Sequence, residues 1–207
     1  MKSYIEIFCG PTQPAENLVW LQRRETWEGD VKANRIRLGA LAFFAVNECL
    51  NYYGFHIVDK RFHLGSLLII GLWSLCAAIF GWMLRHHHMP RHSPFVMVSV
   101  DLLWLSWLLC LADGPKSPLV VIYFLIIALS GTRLNPRLCL FTAGVSILGY
   151  LSVLQFVKTQ APQLMVARSH ETIIVMSLVL MGTVMAHLGS RVLTLLGKEI
   201  LSKEVFK

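Results

Sequence analysis

An apolar span, a compact turn and a second apolar span follow one another between Phe95 and Gly131, and no other stretch limits the fold as strongly. From Phe95 to Ala112 the only charged residue is Asp101, and from Leu119 to Gly131 there is none. Helices so dense in Leu, Val, Ile, Phe and Trp have no polar face to turn to water, so they belong in lipid. The turn between them, Asp113-Gly114-Pro115-Lys116-Ser117-Pro118, holds Asp-Gly, Gly-Pro and Ser-Pro steps that stop helices and set tight bends. The expected unit is therefore an antiparallel helical hairpin. Composition agrees: 15% of the 207 residues are charged, against about 25% in soluble domains.

The same criterion applied along the chain predicts an all-α polytopic membrane bundle of six spans, at about 36–58, 64–84, 95–112, 118–132, 138–157 and 172–193. Near-20-residue helices cross roughly 30 Å of hydrocarbon. The fourth span is shorter and reaches only about 21 Å, so it starts deep, thins the bilayer or is shielded by its neighbours. Residues 1–35 read as a cytoplasmic segment in which Pro14 to Trp27 has the make-up of an interfacial amphipathic helix, and 194–207 as a cytoplasmic helical tail. Lys and Arg counting fixes the expected orientation. With both termini inside, the inner segments hold Lys2, Arg23, Arg24, Lys32, Arg35, Arg37, Arg85, Arg91, Arg133, Arg137, Arg191, Lys198, Lys203 and Lys207, fourteen against Lys60, Arg61, Lys116, Lys158 and Arg168 outside. No cleaved-signal pattern lies in the first 35 residues, which points to a bacterial inner membrane.

The formal net charge of +7 falls at helix ends, where it suits lipid headgroups and not nucleic acid. Cys9, Cys49, Cys76, Cys110 and Cys139 lack paired spacing and read as apolar fillers. Ionisable groups inside the spans are costly and need partners, so they are the candidates for ligand or proton sensing. Glu48 is expected near the midplane of the first span beside Asn47 and Asn51. Asp101 and His187 fall at equal depth in the third and sixth spans, within reach of each other, and Arg191 stands one turn beyond His187. The cluster reads either as a sensing site or, more ordinarily, as an interhelical polar clasp. His86, His87, His88 and His92 crowd the second inner loop and form a weak metal candidate, although a basic loop on anionic lipid explains them more simply. No residue pattern calls for haem or another cofactor.

Two resemblances follow from motifs. Ser130-Gly131 ending the fourth span and His187 in the sixth are similar to the Ser and His positions of rhomboid intramembrane proteases. Ala128 stands where that family's motif has Gly, however, and Ser130 lies at the far end of its helix. Catalysis by this pair is the remote reading. Ala112-Asp113-Gly114-Pro115-Lys116-Ser117-Pro118-Leu119, with Tyr123 and Ile126 after it, resembles the connection between the third and fourth spans in six-span sensory modules of bacterial signalling proteins. The resemblance implies a non-enzymatic module ahead of a kinase or cyclase, with the amphipathic stalk after Leu193 coupling to a cytoplasmic partner or a homodimer. The alternative from another class is a small oligomeric transporter or channel built on Glu48 and Asp101.

Overall fold

The computed structural model describes residues 14–56, 59–86, 92–133 and 135–205, with side chains outside the description at 14–26, 28 and 196–205. Six α-helices carry the described residues: α1 Pro14–Cys49, α2 Lys60–Arg85, α3 Ser93–Leu111, α4 Val121–Gly131, α5 Pro136–Gln160 and α6 Arg168–Val205. No strand occurs among the described residues. Lys60–Arg85, Ser93–Leu111, Pro136–Gln160 and Arg168–Leu195 are long and apolar enough to cross a membrane, and Pro118–Gly131 is a shorter apolar helix.

Local chemistry sets the helix ends. Asp59 accepts from Lys60 N before α2, and Asn135 accepts from Arg137 N and Leu138 N ahead of Pro136 in α5, so each side chain satisfies an otherwise orphaned N-terminal donor. The Asp113–Pro118 connection is the expected turn, resolved into two 3₁₀ turns at Gly114–Lys116 and Pro118–Val120, with Ser117 accepting from Leu119 N. Gly114 adopts φ +56°, and a Cβ there would sit 2.6 Å from Val157 Cγ2. Gly114→Ala thus meets both left-handed strain and a clash. A loss of about 1–3 kcal/mol is expected in thermal unfolding of the purified protein, far above the few tenths expected for Gly144→Ala, which has open space around it.

α1 is longer than the span read from the sequence. It passes through position 36 without a break, because nothing between Pro14 and Cys49 stops a helix, and it ends in a π-turn at Leu50–Gly54. Residues placed in a cytoplasmic segment therefore belong to the same helix, and Asp30, Ala33 and Asn34 are buried against the bundle. α6 likewise runs unbroken to Val205, about 57 Å at 1.5 Å per residue.

Short connections make successive helices antiparallel. Near its middle, at Gly29, α1 meets the end of α4, where a Cβ would lie 3.1 Å from the Thr132 carbonyl, while the end of α1 meets the start of α2 through Glu48 and His63. One end of the bundle, the terminal end, therefore gathers the start of α1 and the distal part of α6. The core forms where α5 packs on α6 and α3 and where α4 wedges among them, around fully buried Leu105, Leu109, Tyr123, Ile127, Tyr150 and Leu178. This shields the short α4. Small residues allow α5 and α6 close approach: a Cβ on Gly182 would collide with Ala143. α1 lies mainly against α2 at the edge. The outer surface is apolar, with Phe43, Leu148 and Leu180 each about two-thirds exposed (69%, 65% and 65%). Hydroxyls such as Ser99, Ser106 and Thr142 donate to the carbonyl four residues earlier, so they need no water.

Candidate functional site

The buried polar chemistry centres on Asp101, eight residues into α3. Arg37 of α1 reaches it with Nη2 2.6 Å from Oδ2. Trp73 Nε1 of α2 donates to Oδ1 at 2.8 Å. Arg37 Nη1 also donates to Asn34 Oδ1 at 2.9 Å, and Asn34 Nδ2 donates to the Ala77 carbonyl of α2 at 3.2 Å. Gly81 leaves the room for that amide, since a Cβ there would fall 2.7 Å from Nδ2. One carboxylate thus joins α1, α2 and α3, with every member buried. A charge in such surroundings persists only when paired and hydrogen-bonded.

A second pair ties α1 to the end of α4. Asp30 Oδ1 stands 2.7 Å from Arg133 Nε, and Arg133 Nη1 donates to the Pro94 carbonyl of α3 at 3.3 Å. Arg133 is only 2% exposed. Burial pushes the Asp30 carboxyl above the usual carboxylate range, opposed first by Arg133 and then by Arg37. Between the two pairs lies a cleft of about 50 Å³, walled by one face of α1 and one face of α4, with Trp73 and Asp101 in its floor. A third pair sits at the opposite end, where His63 Nδ1 is 3.4 Å from Glu48 Oε1 and the imidazole stacks on Tyr52 at 4.0 Å between ring centroids.

With this arrangement in view, comparison with protein families is decisive: residues 33–196 match the PilS-like transmembrane domain. The chain belongs to that family. Comparison with curated proteins and with solved structures gives no match. PilS is a sensor kinase, and the PilS-like domain is a six-span sensory module. That is the class reached from the Ala112–Leu119 turn and the six-span layout, and multi-pass membrane placement follows from it.

Within this PilS-like domain the residues singled out from the sequence occupy separate places. Asp101 has Arg37 and Trp73 as partners, and neither His187 nor Arg191 is among them; both of those are exposed on the outer face of α6. The reason is helical phase. Leu178, Gly182, Ala186 and Gly189 form the stripe that α6 buries, and His187 and Arg191 fall off it. Glu48 lies near the end of α1, two residues before the Leu50–Gly54 turn, and its partner is His63 in the first turn of α2. Asn47 is exposed. Eleven residues of α1, about 16 Å, separate Glu48 from Arg37, so Glu48 and Asp101 belong to different clusters.

Ser130 donates to the Ile127 carbonyl at 2.7 Å and does not meet the exposed His187, so no nucleophile–base pair forms. In the His-rich loop, His87 and His88 lie outside the described residues, His86 caps α2 beside Trp82, and His92 precedes α3. Among the described residues no group of three or more His, Cys, Asp or Glu is placed to hold a metal.

Sequence reasoning passed over Arg37, Asp30, Arg133, Trp73 and His63. One signal was available. Arg37 falls inside the first predicted span, and a cation there requires an anion.

Proposed function

We propose that this PilS-like domain is the receiving part of a bacterial inner-membrane signalling system, without catalysis of its own, which passes a membrane or ligand signal through α6 to a cytoplasmic kinase or cyclase. The observation that carries this reading is the family match over residues 33–196. The excess of Lys and Arg on the loops of the terminal end supports both termini facing the cytoplasm. In this proposal the Arg37–Asp101–Trp73 clasp is the element whose state the signal biases, since it holds the peripheral α1 against α2 and α3. The unbroken helix from the bundle to Val205 is the transmitter.

The test joins this chain, through α6, to the kinase region of a PilS-like sensor and follows autophosphorylation in membranes. Asp101→Leu is expected to change the kinase output at least severalfold while the chimera still inserts. Unchanged output from a normally inserted Asp101→Leu chimera would count against the reading. Ion flux in liposomes that disappears with Glu48→Gln would favour the transporter class instead.

A further inference from the structure

The cleft between α1 and α4 has a chemical character beyond that of a packing defect. α1 and α4 approach each other at the terminal end, where Gly29 meets Thr132 and Asp30 meets Arg133. Beyond that contact Ala40 and Phe44 of α1 face Ile122, Leu125 and Leu129 of α4, and Leu125 is 44% exposed, so the groove opens toward the lipid side. From Ile122 to Arg133 it follows α4 for about 16 Å. Its polar groups are confined to one end. Arg37, Asp101, Ser130 and Arg133 line that end, and the rest of the wall is apolar.

This polarity matches how a bilayer amphiphile stands in the leaflet on the terminal side, with its head at the helix ends and its tail toward the midplane. The two guanidiniums spend Nη1 and Nη2 (Arg37) and Nε and Nη1 (Arg133) on the contacts above, and each guanidinium carries five N–H donors in all. Donors are therefore left for an acceptor-rich head. Local charge favours an anion: among the described side chains, Lys32, Arg35, Arg37, Arg85, Arg133 and Arg137 gather at this end against Asp30 and Asp101. The enclosed volume, about 50 Å³, is far below that of a pocket that buries a whole ligand, so only part of a slender tail is enclosed and the rest lies along the open, lipid-facing side at Leu125.

We infer that the α1–α4 cleft is a binding site for a single-chain amphiphile with a carboxylate or phosphate head, whose head engages Arg37 and Arg133 and whose tail lies between Phe44 and Leu125. This names the ligand class of the sensory reading above and rests on it for its consequence. An anion that takes over the guanidiniums competes with Asp101 and Asp30, which are what hold α1 in place.

The experiment uses the full chain in phosphatidylcholine nanodiscs and three diazirine-bearing probes: palmitic acid, its methyl ester and a lysophosphatidic acid. Crosslinks are mapped by mass spectrometry. Labelling of Phe44, Leu125 and Leu129 by one acidic probe is expected to exceed that of outward-facing Leu148 and Leu180 about tenfold, the ratio that 1.4 kcal/mol of preference gives. Which acid is enriched distinguishes a fatty acid from a phospholipid source. The methyl ester is expected to show no such preference. Leu125→Trp, which fills the cleft from an exposed position, is expected to abolish cleft labelling and leave Leu148 and Leu180 unchanged. Equal labelling of the cleft and the outer face by both acids would mean annular lipid only and would overturn the site. Equal enrichment of the ester would overturn the anionic head, and that arm needs no variant. The chimera's response to Asp101→Leu contains no added ligand, so failure of the site and failure of the sensory reading show up separately.

Discussion

Asp101→Leu is expected to lower the unfolding free energy by about 3–5 kcal/mol, because it leaves the Arg37 guanidinium buried without its carboxylate. It also removes the acceptor of the Trp73 indole N–H. The cost comes from the orphaned charge and donor more than from loss of attraction. Arg37→Met combined with Asp101→Leu should therefore regain most of the loss, since an apolar pair of similar volume is often neutral or stabilising in place of a buried ion pair. Unfolding in detergent micelles, followed by far-ultraviolet circular dichroism for the wild type, both single variants and the double variant, measures the coupling directly. Additive losses would mean that the two side chains do not act as a pair.

Arg133→Leu is expected to cost a similar amount, about 3–5 kcal/mol at neutral pH, because Asp30 then stays buried without its ion-pair partner and with only the weaker influence of Arg37. Here the loss depends on pH. Burial already holds the folded-state pKa of Asp30 above the usual carboxylate value. A raised folded pKa means that the folded state binds its proton more tightly than the unfolded one, so the associated stability is present at low pH and is lost as pH rises through the folded value. Removing Arg133 withdraws the largest opposing influence and raises that value further. The destabilisation of Arg133→Leu should thus shrink when unfolding is measured at about pH 5 instead of about pH 8. A penalty that is the same at both pH values would mean that Asp30 is not the group left stranded.

What the sequence revealed and what it withheld have a common physical basis. Asp113 to Pro118 was legible because Gly114, Pro115 and Pro118 act on their own backbone, and the left-handed Gly114 sits where the Asp-Gly step predicts a bend. The short fourth span was legible from length alone, and burial of Tyr123, Ile126, Ile127 and Ser130 shows how its neighbours shield it. Side-chain pairing was not legible. Arg37 and Arg133 counted as interfacial charges because both stand at predicted span ends, yet each is at most 8% exposed. Depth alone placed His187 beside Asp101, whereas rotational phase decides which face of α6 turns inward. The small residues Gly182, Ala186 and Gly189 carried that phase in the sequence, since close helix packing selects small residues in membranes.

The polar clasp of Arg37, Asp101 and Trp73 joins α1 to α2 and α3 and so holds α1 against the bundle. Spin labels carried by unnatural amino acids at the exposed positions Ile36 of α1 and Leu140 of α5, in nanodiscs, report that directly through the distance distribution between them. One narrow distribution is expected in the wild type, a broader and longer one in Asp101→Leu, and a return toward the narrow form when Arg37→Met is added. An Asp101→Leu distribution identical to that of the wild type would contradict this role of the clasp.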